Sequence, residues 1–168
     1  MKQLKNLLLA TTLCIGTVSF TQAQSKVAHI NTDELISAMP EMKDAQAELE
    51  TLSKTYQTEL QSLGTELQNK SQQYNAEAPT KTQEENAKRE QELMEMEQNA
   101  RQYQNQAQVT LQEKQTALFQ PITEKARAAI LKVARAQGFD YVVDTAQGIV
   151  ILADGKNLLD DVKKELGI

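Results

Sequence analysis

The stretch NAEAPTKTQEEN, residues 75–86, decides the fold, because it interrupts a polar, helix-forming run that otherwise fills most of the chain. Pro79 stops an incoming helix, since its nitrogen has no hydrogen to donate and its ring crowds the preceding turn. Thr82 and Glu85 have the spacing of a capping box that starts an outgoing helix. The interruption is about four to six residues, the usual length of a helix–helix connection rather than of a linker between domains. It therefore predicts the tip, near residues 78–82, of one antiparallel helical hairpin.

Each flank carries one narrow apolar seam. Before the turn it runs Met42, Ala45, Leu49, Leu52, Tyr56, Leu60, Leu63, Leu67 and Tyr74, nearly all at steps of three or four. After the turn it resumes at Leu93, Met96, Ala100, Tyr103, Ala107, Leu111, Leu118, Ile122, Ala126, Ala129 and Val133, and ends at Gln137 and the capping glycine Gly138. Steps from Leu49 suggest an eleven-residue repeat and a straight or slightly right-handed coil. Neither seam can be buried by its own helix, so the two pack on each other. Between residues 68 and 91 the only sizeable apolar side chain is Tyr74, which predicts a weakly held, mobile tip.

Outward from the hairpin, residues 27–30 read as a short strand. Asn31 and Glu34 make a further capping-box spacing for a helix over about 33–38, and Pro40 is well placed in the first turn of the long helix. At the other end, residues 139–145 and 149–152 are β-branched, apolar runs separated by Ala146-Gln147-Gly148, which predicts a β-hairpin. A turn over residues 154–157 then leads to a last helix lined by Leu158, Leu159, Val162 and Leu166. The fold class expected is α+β and mostly helical, with a helical hairpin arm (41–137) projecting from a small β-body (24–40 and 138–168). So small a sheet leaves apolar surface, and the body is expected to oligomerise.

The first residues, with Lys2 and Lys5, an apolar run over 7–20 and a small residue at Ala23, predict a signal peptide over 1–23. The apolar run is too short and too often broken by Thr, Gly and Ser to hold the chain in a membrane. The single cysteine, Cys14, would leave with that leader, and with it any thiolate or disulfide chemistry. Loss of two lysines leaves 16 basic against 23 acidic residues, 16 − 23 = −7, which disfavours nucleic acid and anionic membrane surfaces as partners.

Catalytic, cofactor and metal sites are not expected. His29 is the only histidine and lies in a strand without an acid–base pair. Asp140, Asp144, Asp154, Asp160 and Asp161 lack the alternate-position spacing of a calcium loop and suit turns and caps. The glycines form no phosphate cradle, and no serine sits in a nucleophile elbow.

Three stretches resemble the Skp/OmpH family of periplasmic chaperones: Lys26-Val27-Ala28-His29-Ile30-Asn31 its first strand, Phe139-Asp140-Tyr141-Val142-Val143-Asp144 its D-x-V-V-D strand, and Asn157-Leu158-Leu159-Asp160-Asp161-Val162 its last helix. The resemblance implies a homotrimer in the periplasm that holds unfolded outer-membrane proteins between its arms without ATP. Client contacts would fall on the arm at Tyr74, Leu93, Met94 and Tyr103, and oligomer contacts on the body at Val27, Ile30, Val142, Val143, Ile149 and Ile151. Basic arms are the family pattern, whereas residues 76–100 hold seven acidic and three basic residues. An envelope coiled-coil spacer with one fixed partner is the competing expectation.

Overall fold

The computed structural model describes residues 25–168. The leader expected over 1–23, with Cys14, lies outside the described residues. Strand β1 (Val27–Ile30) passes into helix α1 (Thr32–Ala38), whose first turn is capped by Asn31 Oδ1 accepting the Glu34 amide at 3.0 Å. Pro40 then opens helix α2 (Pro40–Glu77), where its missing N–H costs nothing. A single 3-10 turn (Ala78–Thr80) reverses the chain into helix α3 (Gln83–Ala136). Both halves of the Thr82–Glu85 capping box form.

Helices α2 and α3 pack antiparallel as the expected hairpin. Every predicted seam residue on both helices is buried or half-buried, while most positions between them face solvent. At 1.5 Å per residue α2 is about 57 Å long and α3 about 81 Å. The excess is 54 − 38 = 16 residues. It continues past the start of α2 and carries Ala126, Ala129, Ile130, Val133 and Ala134 into the core of the body. One residue here was overlooked by the seam pattern. Pro121 lies inside α3 at the root of the arm, where it removes one rung of the helix ladder without ending the helix.

α3 ends in a Schellman motif: Gly138, at φ +69°, donates to Arg135 O, and Phe139 donates to Ala134 O. The chain then enters strand β2 (Tyr141–Asp144), crosses to strand β3 (Lys156–Asn157) and closes with helix α4 (Leu159–Leu166). The sheet order is β2-β1-β3, and both pairings are parallel. This corrects the expected β-hairpin. Residues 149–152 form no strand, and β2 pairs instead with β1 in the register Val27↔Tyr141 to Ile30↔Asp144. To reach the opposite edge of β1 in the same direction, the chain must travel back along the sheet, and residues 145–155 are spent on that crossover. Lys156 and Asn157, expected in a turn, are the third strand.

Ile30, Leu35, Met39, Leu158 and Val162 are fully buried between the sheet and helices α1, α3 and α4. Full burial of such a side chain contributes about 1.5–3 kcal/mol. The body core is therefore the most strongly held part of the protomer.

Candidate functional site

Two aspartates fasten the sheet at its ends. Asp140 Oδ2 accepts the Lys26 amide at 2.8 Å, while the Asp140 amide donates to Lys26 O at 2.8 Å. At the far end of β2, Asp144 accepts the Thr32 hydroxyl at 2.6 Å, the Thr32 amide at 3.2 Å and the Ala146 amide at 3.0 Å. Partial burial pushes the Asp144 carboxyl up, but these bonds outweigh it and hold the group below the usual aspartate range. The aspartates at both ends of Asp140-Tyr141-Val142-Val143-Asp144 thus tie down the residues flanking β1, Lys26 and Thr32, and Asp144 also forms the turn that follows β2. Lys26 adds to the same end: its ammonium donates to Gln137 O at 2.8 Å and lies 4.3 Å from the centre of the Phe139 ring.

Alternation along the strands splits the sheet into two faces. Ala28, Ile30 and Val142 face the core, whereas Val27, His29, Tyr141 and Val143 face outward. Outside lies an apolar recess of about 230 Å³ lined in part by Val27, His29, Val143, Val150 and Leu152. The crossover that overhangs it leaves Ile149 80 %, Leu152 81 % and Ile151 101 % exposed. Gly155 lets the crossover lie against β1, since a Cβ there would stand 3.0 Å from Val27 O. Of the expected oligomer residues, Val27, Val143, Ile149 and Ile151 are brought to this outer side. Ile30 is not, because at 1 % exposure it belongs to the protomer's own core, and Val142 packs on that core as well. Tyr141 and Leu152 join the exposed set without having been singled out, and strict alternation through Ala28, Ile30 and Val142 is the signal that could have found Tyr141.

On the arm, the four expected contact residues separate by geometry. Tyr103 meets Tyr56 across the hairpin, edge to face with ring centres 5.8 Å apart. Tyr74 donates its hydroxyl to Glu92 at 2.6 Å, and Leu93 is half-buried in the seam. Met94 alone of the four faces outward, at 57 % exposure, and Val109 is a second exposed apolar side chain on α3 that the seam pattern did not select.

Among the described residues, no group of three or more His, Cys, Asp or Glu is placed to hold a metal ion, and no helix is long and apolar enough to cross a membrane. The arrangement offers surfaces: an uncovered apolar sheet face on the body, and two exposed helical walls on the arm.

A crystal structure from Caulobacter crescentus, described as a candidate OmpH-like outer membrane chaperone, has the same fold, with a TM-score of 0.76 over 90 % of each chain at 17 % identity. No curated protein sequence matches the chain. The family model for outer membrane proteins of the OmpH-like type matches residues 26–166, which takes in the whole arm and all but the ends of the body. The chain belongs to the OmpH-like family.

Proposed function

We propose that this chain is an ATP-independent periplasmic holdase, acting as a homotrimer that shields unfolded outer-membrane proteins in transit. The observation that carries the reading is a division of labour between the two exposed parts. The body leaves one apolar sheet face open, while the arm satisfies its seam within its own hairpin and, at its root, against the body core. Association through the body would bury Val27, Tyr141, Val143 and the overhanging residues 149–152, leaving three arms free around a central space. Membership of the OmpH-like family supports this reading. A signal peptide over residues 1–23 would deliver the chain to the periplasm.

Client contact on such arms is broad and weak, which suits varied, unfolded partners. Met94 needs no opening of the seam to touch a client, and its flexible thioether adapts to irregular apolar surfaces. Tyr74, Leu93 and Tyr103 would take part where the hairpin loosens. Holding of this kind is passive and calls for no chemistry on the client.

Diluting a urea-unfolded outer-membrane barrel protein into buffer with the chaperone tests the reading. Light scattering should be suppressed at stoichiometric amounts without nucleotide, and unchanged turbidity would overturn the holdase. A spacer would instead return one fixed partner after crosslinking and pull-down, where a holdase returns many unrelated barrels. Native mass should give three copies.

A further inference from the structure

The inward-facing spacing of the hairpin does not break near the tip; its chemistry changes. On α2 the inward positions continue Leu67, Lys70, Tyr74, Glu77, and on α3 they run Asn86, Arg89, Leu93, Met96, at steps of three and four throughout. All are half-buried, and Glu92 lies half-buried beside them. Where leucines stand nearer the body, charged groups now meet across the seam. Glu92 accepts from the Lys70 ammonium and, through its second oxygen, from the Tyr74 hydroxyl. Arg89 donates to Glu77, and its guanidinium lies 4.5 Å from the centre of the Tyr74 ring. Asn86 closes the end by donating to Ala78 O at 3.1 Å.

We propose that this lattice, centred on Glu92, Tyr74 and Arg89, is a charge-operated latch that holds the distal arm shut and lets it open independently of the apolar proximal arm. The inference rests on the contacts themselves and not on the holdase reading. Apolar burial is scarcely altered by simple salt, whereas pairs between partly exposed charges are screened by it. Closure also leaves Arg89 Nη1 buried without a partner among the described residues, a cost that opening removes.

The latch has an acid limb and an alkaline limb. Glu92 is held below the usual glutamate range by the Lys70 and Tyr74 bonds, and Glu77 by Gln73 and Arg89. A carboxylate with a lowered value stabilises the closed form above its ordinary range and loses that contribution as pH falls through the lowered value. Lys70 and Tyr74 are raised by their bonds to Glu92, so their contribution is complete below their ordinary ranges and is lost as pH rises through the raised values. The charged groups facing Glu92 are Lys70 across the seam and Arg89 on its own helix. Those facing Glu77 are Arg89 across the seam and Lys81 beyond the turn.

Hydrogen exchange of the whole protein, followed by segment, tests the latch. Between about 0.01 M and about 1 M sodium chloride the screening length falls from roughly 30 Å to roughly 3 Å. Amides over residues 70–92 should exchange about fivefold faster at the higher salt, and amides over residues 52–60, clear of the proximal ion pairs Glu41–Lys125 and Glu48–Lys114, at an unchanged rate. Glu92→Gln should give the faster rate already at low salt. Lys70→Leu combined with Glu92→Leu, which carries the apolar seam to the tip, should slow exchange there and remove its salt dependence. A salt-insensitive tip, an unaltered tip in Glu92→Gln, or equal acceleration along the whole arm would each overturn the proposal.

Discussion

The near and far ends of the arm share one geometry and two chemistries. Near the body, Met42, Ala45, Ile122 and Ala126 are buried against one another and against the body core. Far from it, Lys70, Glu77, Arg89 and Glu92 occupy or border the same inward stripe. Helical spacing decides which residues meet, but their chemistry decides what can separate them. The near end has an apolar seam with ion pairs only at its margin, Glu41–Lys125 and Glu48–Lys114; at the far end the charged pairs take over the seam itself.

Leu63→Pro, placed between the two ends, should have the largest effect. A proline in a helix interior costs about 3 kcal/mol or more. Helicity and exchange protection should be lost from residue 63 outward, while the thermal transition of the body and the oligomer mass stay as they were. Loss of oligomerisation together with the arm would break the division between arm and body. Leu35→Ala attacks the other region. Its side chain is fully buried, and truncation should cost about 2–5 kcal/mol, read as a lowered melting temperature of the body, with tip exchange unchanged below that temperature.

Between these extremes lies the middle of the arm. A double-mutant cycle replacing Tyr56 and Tyr103 singly and together by Leu should show a coupling of about 0.5–1.5 kcal/mol beyond area burial. Zero coupling would place the middle of the arm with its apolar near end, held by area alone. Asp144→Asn should have the smallest effect, about 1 kcal/mol near neutral pH once solvent exposure is allowed for. Because the folded carboxyl lies below the ordinary aspartate range, the difference from the parent should fade as pH drops through that lowered value. A difference that persists in acid would mean that the bonds at Asp144 do not depend on its charge.

The sequence carried the hairpin almost completely, since Pro79, the Thr82–Glu85 box and two seams of steps three and four are local signals. It also carried the capped start of α1, the place of Pro40 and the buried side of α4. The parallel sheet was not legible, because Val27 to Ile30 could pair with either apolar run, and the choice depends on how the arm brings Gly138 back beside Lys26. Residues 149–152 have a strand's composition but are consumed by the crossover. At the tip, the apolar pattern holds only Tyr74 and therefore reads as a weak end, because Lys70, Glu77 and Arg89 at the same spacing give no apolar signal. Of the residues expected at an oligomer contact, Val27 and Val143 lie on the outer sheet face. Ile30 was misplaced because composition does not say which way a strand residue points.

The bond between the Lys26 amide and Asp140 spans 114 positions of the chain. Closing so long a loop from an open chain is slow, but a hairpin already formed brings its two ends together and shortens the effective gap. A formed arm therefore favours closure of the sheet. The apolar outer face exists only once β2 lies beside β1, so if copies associate through that face, as proposed, a chain whose sheet is not yet closed has no completed face to offer.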